Sequence, residues 1–203
     1  MPRRPTRLTL GMMFQVRIHG RGGQGVVTAA ELLSLAAFAD GSEAQAFPSF
    51  GSERMGAPVV AYCRMDDHKI RMREPIDEPD AVVIQDPTLL HHVDVFGGLA
   101  AGGYVLINST HSVEELGLED LHDRHDGDRV VTIPASEIAR EHIGRPIPNA
   151  ALLGALAALT GCVSLDALDE AIAQRFRGAA AEGNRAAAHS AWVKVPKEVA
   201  KCD

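Results

Sequence analysis

The chain has 203 residues, which fits one domain with a sizeable hydrophobic core. Its composition, 46% apolar and 23% charged, is ordinary for a globular protein, and a net charge of −7 without a basic stripe argues against nucleic-acid binding. The scattered cysteines Cys63, Cys162 and Cys202 suggest neither a disulfide framework nor an iron–sulfur site, which needs about four clustered thiolates, so we expect a cytoplasmic protein.

The first thirteen residues are predicted to form a disordered basic arm. They carry Arg3, Arg4 and Arg7 ahead of a short apolar patch that ends at Met13. That patch is too short for a signal peptide and lacks a small-residue cleavage site. A start codon at Met12 or Met13 is the alternative. No later apolar run approaches the ~20 residues of a membrane helix. We expect a single domain over residues 14–193 and a tail over 194–203.

Residues 14–39 read as a strand, a glycine turn and a helix. Phe14, Val16 and Ile18 alternate as in a strand with one buried face. Glycines follow, and apolar residues then recur from Val26 at the spacing of an amphipathic helix. Glycine allows a sharp turn and a close approach, and the free N–H groups of the helix's first turn favour an anionic ligand. Another protein's backbone would also fit there.

The turn satisfies the dinucleotide fingerprint G-x-G-x-x-G from Gly20 to Gly25. That fingerprint also requires an acidic residue about 20 positions on, at the end of the second strand. The second apolar run, residues 43–47, has its acid at the start and Pro48 after its end. The fingerprint is half present. A turn needed only for tight strand–helix packing is the other reading.

A long loop with two prolines and two glycines is predicted over residues 48–58. Its Glu53, Arg54 and Met55 occupy a position where binding surfaces tend to lie, although a solvated connection is the simpler reading. Residues 59–64 and 68–72 flank an Asp-rich turn and predict an antiparallel hairpin. The hairpin implies a mixed sheet.

Three apolar runs, residues 80–85, 103–108 and 129–134, predict buried parallel strands. Together with the first strand they suggest a parallel core of four or five strands, with ligand-binding loops at the carboxyl ends. A short helix is expected up to about His142.

The carboxyl-terminal part is predicted to be helical. Asn149 would cap a helix that ends at Gly161, and Ser164 would cap a second helix that ends near Phe176. A third helix covers residues 179–192. The small residues around the first of these helices indicate burial on all sides.

Other polar clusters point to no chemistry of their own. The stretch from His122 to Asp126 is interpreted as a solvated loop rather than a metal site, and His91-His92 as an exposed helix end. No nucleophile elbow, phosphate-loop lysine or carboxylate pair stands out. We therefore expect no catalytic residues and no metal site in this chain.

Four motifs in order resemble the gamma subunit of 2-oxoacid:ferredoxin (acceptor) oxidoreductases, most closely the pyruvate and branched-chain type. They are GRGGQG, GSERMGAPVVAYCR, EPDAVVIQDPTLL and PNAALLGALAALTG, and the resemblance covers residues 14–176. It implies a Rossmann-like α/β three-layer sandwich with a mixed, mainly parallel sheet and a helical carboxyl-terminal part. The end of the chain, from residue 177, matches no part of this pattern.

The resemblance implies a subunit that is not active alone. In this family thiamine diphosphate and Mg²⁺ lie between the alpha and beta subunits, 4Fe–4S clusters are held by the beta and delta subunits, and the gamma subunit borders the route of coenzyme A. The final acceptor is ferredoxin or an NAD-linked subunit, and the substrate is pyruvate or a branched-chain or aryl 2-oxoacid such as phenylglyoxylate. By carry-over, two groups of residues would face coenzyme A or the partner subunits: Gly22, Gly23, Gln24 and Gly25, and Ser52, Glu53, Arg54, Met55 and Gly56. The alternative is a free-standing dinucleotide-binding oxidoreductase that uses Gly20–Gly25. Neither reading involves nucleic acid or a membrane.

Overall fold

The computed structural model describes residues 13–49 and 55–195. The strands are β1 (Phe14–Arg21), β2 (Glu43–Pro48), β3 (Pro58–Asp66), β4 (Ala81–Ile84), β5 (Tyr104–Asn108) and β6 (Val130–Ile133). The helices are α1 (Val26–Ala39), α2 (Glu119–Arg124), α3 (Ala135–Ile143), α4 (Asn149–Thr160), α5 (Leu165–Arg175) and α6 (Ala179–Lys194). Short 3₁₀ turns cover Pro87–His91 and Gly127–Arg129.

The strands form one six-stranded sheet in the order β2-β3-β1-β4-β5-β6. Strands β1, β4, β5 and β6 are parallel, while β3 pairs antiparallel with both β1 and β2. The expectation of a mixed, mainly parallel α/β sheet is therefore confirmed. The parallel strands β4 and β5 are buried on both faces, as their continuous apolar sequences require.

The core is divided between the two faces of the sheet. On one face Val16 and Ile18 of β1 pack in a large cluster with residues of α1 and α3 to α6. On the other face Val82, Ile84 and Val105 pack with Leu89 and Leu121 from the connecting segments. The sheet is thus the middle layer, and the helical carboxyl-terminal part covers only its first face.

Helix α4 lies inside the larger cluster, and almost all of its residues are buried. A Cβ atom at Gly154 would collide with the backbone of Ala188 in α6, so glycine permits the close approach of these two helices. Gly161 ends α4 in the left-handed conformation at φ +65°, and the Ser164 hydroxyl accepts a hydrogen bond from the Ala167 amide at the start of α5. Both of these helix-end predictions are confirmed.

The predicted hairpin of residues 59–72 is wrong. Strand β3 runs as far as Asp66, but residues 68–72 form no strand. Both edges of β3 are already paired with β1 and β2, so no position in the sheet is left for a hairpin partner. Instead the Asp66 carboxylate accepts a hydrogen bond from the His68 amide at 2.8 Å, and Lys69, Arg71 and Met72 are exposed.

Two local predictions about histidines have different outcomes. His91 and His92 are exposed at the end of a 3₁₀ turn, as expected. The stretch from His122 is not a loop throughout, because His122 and Arg124 belong to α2. The buried Leu121 anchors this turn of helix in the second core cluster.

The predicted basic arm lies outside the described residues except for Met13. Of the predicted tail, Lys194 ends α6 and Val195 is buried, and the rest lies outside the described residues. Within residues 13–49 and 55–195 no helix combines the length and apolar character needed to cross a bilayer.

Candidate functional site

The glycine turn lies between the carboxyl end of β1 and the start of α1. Gly25 precedes the helix with φ +75°, a left-handed conformation that favours glycine. In the strand order, β2 and β3, which follow β1 in the chain, lie to one side of β1. Strand β5, which follows β4, lies in the opposite direction. The crevice between β1 and β4 is therefore the topological switch point, where open α/β sheets usually bind their ligands.

The end of the long loop is hydrogen-bonded to this turn. The Gly22 amide donates to the Ala57 carbonyl at 2.9 Å, and the Gly56 amide donates to the Gly22 carbonyl at 3.1 Å. Gly23 adopts φ +92°, and a Cβ atom there would lie 2.8 Å from the Met55 sulfur. The Met55 side chain is 88% exposed. Gly22 to Gly25 together with Met55 and Gly56 form one surface, which we call the glycine corner.

Polar side chains from three segments hold the corner in shape. The carboxylate of Asp86, two residues after β4, accepts hydrogen bonds from Arg21 Nε at 3.1 Å and from Gln24 Nε2 at 2.9 Å. Gln24 Oε1 in turn accepts from the Arg21 amide at 2.7 Å. Arg21 also donates to the Gly56 carbonyl at 3.1 Å and to the Thr88 hydroxyl at 2.7 Å.

The hydrogen bonds to Asp86 help to lower the pKa of its carboxyl group. Burial alone would raise the pKa of this carboxyl. Hydrogen bonds from Thr88 and Gln24, with the charge of Arg21, outweigh burial and leave the pKa below its ordinary value. Asp86 is therefore a charged structural residue at neutral pH rather than a proton donor.

Behind the corner a row of buried amides crosses the carboxyl ends of the strands. Asn149 Nδ2 donates to the Gly25 carbonyl at 3.1 Å, and Asn149 Oδ1 accepts from Gln85 Nε2 at 2.9 Å. Asn108 Nδ2 donates to the Gln85 carbonyl at 2.8 Å and to the Ser136 hydroxyl at 2.8 Å. The prediction that Asn149 caps α4 is wrong, because its side chain makes no capping bond and is used in this row instead.

The first turn of α1 offers backbone donors next to the corner. No side chain caps this helix, and the first N–H groups of any helix have no intrahelical acceptor. Val27 and Thr28 in that turn are partly exposed. The combination of unpaired donors and the positive end of the helix dipole suits an anionic group or the carbonyl groups of another chain.

The structure brings together most of the residues expected at the site. Gly22, Gly23, Gln24, Gly25, Met55 and Gly56 lie in the glycine corner, whereas Ser52, Glu53 and Arg54 lie outside the described residues. Sequence reasoning missed Arg21, Asp86, Gln85 and Asn149. Asp86 follows the apolar run of residues 80–85, and an acidic residue just after a parallel strand is itself a signal for a site residue.

The strand order argues against a dinucleotide site. In a dinucleotide-binding fold the second strand is parallel to the first and adjacent to it, so that its terminal acid reaches the ribose. Here the neighbours of β1 are β3, which is antiparallel, and β4, while β2 lies at the edge of the sheet. The end of β2 is thus two strand positions away from the glycine turn.

The described residues do not fit a metal ion or an iron–sulfur cluster. Among them no group of three or more histidine, cysteine, aspartate or glutamate side chains is placed to hold a metal. Cys63 and Cys162 are buried. Burial raises the pKa of the Cys63 thiol far above its ordinary value and that of Cys162 to about 11, which disfavours the thiolates that such clusters require.

Comparisons with known proteins agree on one family. A family model described as pyruvate ferredoxin/flavodoxin oxidoreductase matches residues 15–192. The chain is 50% identical over 182 residues to the pyruvate/ketoisovalerate oxidoreductases common subunit gamma of Thermococcus kodakarensis, covering 90% of this chain and 97% of that one. It is 47% identical over 186 residues to the pyruvate synthase subunit PorC of Methanothermobacter thermautotrophicus, covering 91% and 97%. The crystal structure of a pyruvate oxidoreductase subunit from Thermotoga maritima matches with a TM-score of 0.76 at 33% identity, covering 91% and 97%.

Proposed function

The chain belongs to the pyruvate ferredoxin/flavodoxin oxidoreductase family, as a gamma-type subunit of an enzyme complex, and we propose that this complex converts a 2-oxoacid and coenzyme A to acyl-coenzyme A and CO₂. The two electrons released pass to ferredoxin or to an NAD-linked acceptor subunit. The chain contributes a surface to this reaction, and partner subunits of the alpha, beta and delta type contribute the reacting groups.

The chemistry of the described residues supports this division of labour. Thiamine diphosphate with Mg²⁺ supplies the decarboxylation, and 4Fe–4S clusters supply electron transfer. Neither fits the described part of this chain, since it offers no set of metal ligands and its two cysteines there are buried. We therefore place these groups on the partner subunits, and no residue of this chain takes part in their reactions in our proposal.

The single observation that carries the proposal is the glycine corner at the switch point of the sheet. Backbone hydrogen bonds of Gly22 and Gly56 join the glycine turn to the end of the long loop, and the Asp86 carboxylate accepts hydrogen bonds from Arg21 and Gln24. The result is a preorganised surface with an exposed Met55 and an uncapped helix terminus. Such a surface suits docking onto partner subunits and contact with the phosphates of coenzyme A.

The loop residues Ser52, Glu53 and Arg54 complete this surface in our proposal. Arg54 carries a guanidinium group, which binds phosphate through paired hydrogen bonds. Arg54 precedes Gly56 by two residues in the sequence, and the Gly56 amide is hydrogen-bonded to the Gly22 carbonyl of the corner. We assign Arg54 to coenzyme A and Glu53 to the subunit interface.

The substrate is proposed to be pyruvate or a branched-chain 2-oxoacid. The names of the relatives include pyruvate and ketoisovalerate, and one of them is a common subunit. A subunit common to two oxidoreductases does not by itself select the 2-oxoacid. We therefore attribute that selection to the partner subunits.

Kinetics of the assembled complex test the assignment of Arg54. Arg54→Ala should raise the apparent KM for coenzyme A and leave the KM for the 2-oxoacid unchanged, because the lost contact is to phosphate. Arg71→Ala, which removes an exposed arginine beyond β3, is the matched control and should change neither constant. An unchanged KM for coenzyme A would move Arg54 from the ligand to the subunit interface.

A further inference from the structure

The dipeptide Asp-Gly occurs twice in the chain, as Asp40-Gly41 and as Asp126-Gly127. An aspartate before glycine is prone to isomerise, because the glycine amide nitrogen can approach the side-chain carboxyl carbon without hindrance from a Cβ atom of its own. In a folded protein the reaction also requires these two groups to move towards each other. The two dipeptides have the same covalent chemistry, so a difference in their reactivity reflects the fold.

The fold holds both reacting groups of Asp40-Gly41. Asp40 follows the last residue of α1, and its carboxylate accepts hydrogen bonds from the Ser164 amide at 2.6 Å and from the Ser164 hydroxyl at 2.8 Å. The Gly41 amide donates to the Phe38 carbonyl at 2.9 Å. Attack at this dipeptide therefore requires all of these hydrogen bonds to break, and the link between the end of α1 and the start of α5 is lost with them.

Neither reacting group of Asp126-Gly127 is held in this way. The Asp126 side chain is 82% exposed, and in its ion pair with Arg129 the distance from Nε to Oδ2 is 3.7 Å, too long for a hydrogen bond. The Gly127 amide donates no hydrogen bond to any residue in the described part of the chain. Both groups of this dipeptide, which lies in the connection between α2 and β6, are therefore free to approach each other.

The backbone of Asp126 is also strained. Its φ is +50° and its ψ is +97°, and among residues 13–49 and 55–195 it is the one non-glycine residue with a positive φ. A Cβ atom disfavours this region of backbone conformation. Rotation out of it therefore costs Asp126 less than rotation out of the helical conformation costs Asp40, which has φ −75° and ψ −2°.

We propose that Asp126 is a site of spontaneous isoaspartate formation in the folded protein, and that the fold protects Asp40. The Gly127 nitrogen forms a bond to Asp126 Cγ and loses its proton, while the bond from Cγ to the carboxyl hydroxyl breaks, and the proton and the hydroxyl leave as water. Water then opens the succinimide ring. Cleavage between the nitrogen and Cγ restores aspartate, and cleavage between the nitrogen and the main-chain carbonyl carbon leaves isoaspartate. The mass is unchanged overall, and no oxidant or reductant takes part.

The modification changes the connection that leads into β6. Isoaspartate directs the main chain through the former side chain of Asp126 and adds one methylene group to it. The Asp126 carbonyl, which accepts a hydrogen bond from the Arg129 amide at 2.8 Å, becomes a free carboxylate. This connection lies at the amino end of β6, whereas the glycine corner lies at the carboxyl ends of β1 and β4. The site is therefore separate from the surface that we assign to coenzyme A and the partner subunits.

Peptide mapping of the full-length chain, kept folded for several weeks at neutral pH and physiological temperature, tests the proposal. Trypsin releases Asp126 in the peptide of residues 125–129 and Asp40 in the peptide of residues 22–54. Isoaspartate changes the chromatographic retention of a peptide but not its mass. We expect Asp126 to convert about tenfold faster than Asp40 or more, a factor that corresponds to two intramolecular hydrogen bonds. Equal conversion of the two peptides, or no conversion of the peptide of residues 125–129, would overturn the proposal.

An unfolded control and two substitutions identify the reacting residue and the cause of the difference. In guanidinium chloride both dipeptides should convert at similar rates, and a difference that persists there would show that the fold does not protect Asp40. Asp126→Glu should abolish the shifted form of its peptide, because the longer side chain has to close a larger ring. Asp128→Glu is the matched control in the same peptide and should leave the shifted form in place, since Asp128 precedes Arg129 rather than glycine. A shifted form that persists in Asp126→Glu would place the modification at another residue and refute the assignment.

Discussion

The side chain of Asn149 donates a hydrogen bond to the carbonyl oxygen of Gly25 at 3.1 Å, although the two residues are 124 positions apart in the chain. Gly25 precedes α1 and Asn149 is the first residue of α4, so the bond joins the amino ends of two helices. It also fixes the last residue of the glycine turn against the buried helix. The position of the corner therefore depends on α4 as well as on β1.

The first prediction concerns the amide of Asn149. Asn149→Ala removes the partner of Gln85 Nε2 in a buried region, and it removes one of the two donors to the Gly25 carbonyl, which keeps its bond from the Ala29 amide. Each unpaired buried polar group costs about 1–3 kcal/mol, so we expect a loss of that order or more in the free energy of unfolding. Urea denaturation measures it. Gln174→Ala, at an exposed amide, is the control and should change stability by less than about 0.5 kcal/mol.

The second prediction separates backbone strain from collision at Gly25. Gly25→Ala places a Cβ atom 2.6 Å from Asn149 Nδ2 at a residue with φ +75°. Gly117 has φ +69° with no atom within 4 Å of its ideal Cβ, so Gly117→Ala reports the strain alone. We expect about 1–2 kcal/mol of destabilisation for Gly117→Ala and clearly more for Gly25→Ala. Equal losses in a chemical denaturation series would show that the corner has room for a side chain.

The third prediction concerns the charge of Asp86. Its folded-state pKa lies below the unfolded value, so its contribution to stability is complete above about pH 3.9 and is lost as the pH falls through the lower, folded-state pKa. Asp86→Asn should therefore lower the urea midpoint at pH 7, and the difference from the unaltered chain should shrink below about pH 4. Asp128→Asn, at an exposed residue, is the comparison. A difference in urea midpoint that does not change with pH would mean that Asp86 stabilises the fold through its hydrogen bonds and not through its charge.

The fourth prediction concerns His19, which lies on β1 just before the glycine turn. Burial, with a smaller effect of the neighbouring Arg17, lowers the pKa of His19 to about 4, and its Nε2 accepts a hydrogen bond from Arg17 Nε at 3.0 Å. In the unfolded chain His19 binds a proton near pH 6.5. Its contribution to the free energy of unfolding is therefore complete above that pH and is lost as the pH falls towards 4.

His19→Gln should remove that dependence while keeping a polar side chain. A shift from 6.5 to about 4 corresponds to roughly 3 kcal/mol between pH 7 and pH 4. Urea denaturation of both proteins across this range measures the difference. Parallel curves for the two proteins would show that His19 does not titrate with the assigned pKa.

Local sequence patterns predicted much of this fold. Residues a few positions apart were enough to predict strand β1, from the alternation of Val16 and Ile18, and two helix ends, from Gly161 and Ser164. The continuous apolar runs of β4 and β5 predicted buried parallel strands for the same reason. Signals of this kind act within one element and do not need a tertiary partner.

The errors arose where a distant segment decides the outcome. The apparent hairpin after Asp66 failed because β1 and β2 already occupy both edges of β3. Asn149 looked like a helix cap, but Gly25 and Gln85 are its partners across the sheet. Spacing along the chain contains no information about either contact. Gln24 was expected at the site, but its hydrogen bond and that of Arg21 to Asp86 join segments more than 60 residues apart and could not be predicted from local spacing.

Reconstitution tests the central claim most directly. The 2-oxoacid-dependent and coenzyme A-dependent reduction of acceptor is measured for this chain alone, for the co-purified partner subunits alone and for the recombined complex. We predict that the chain alone has no activity and that its addition restores full coenzyme A-dependent turnover to the partners. Oxidation of pyruvate by the isolated 203-residue chain, or full activity of the partners without it, would contradict the account.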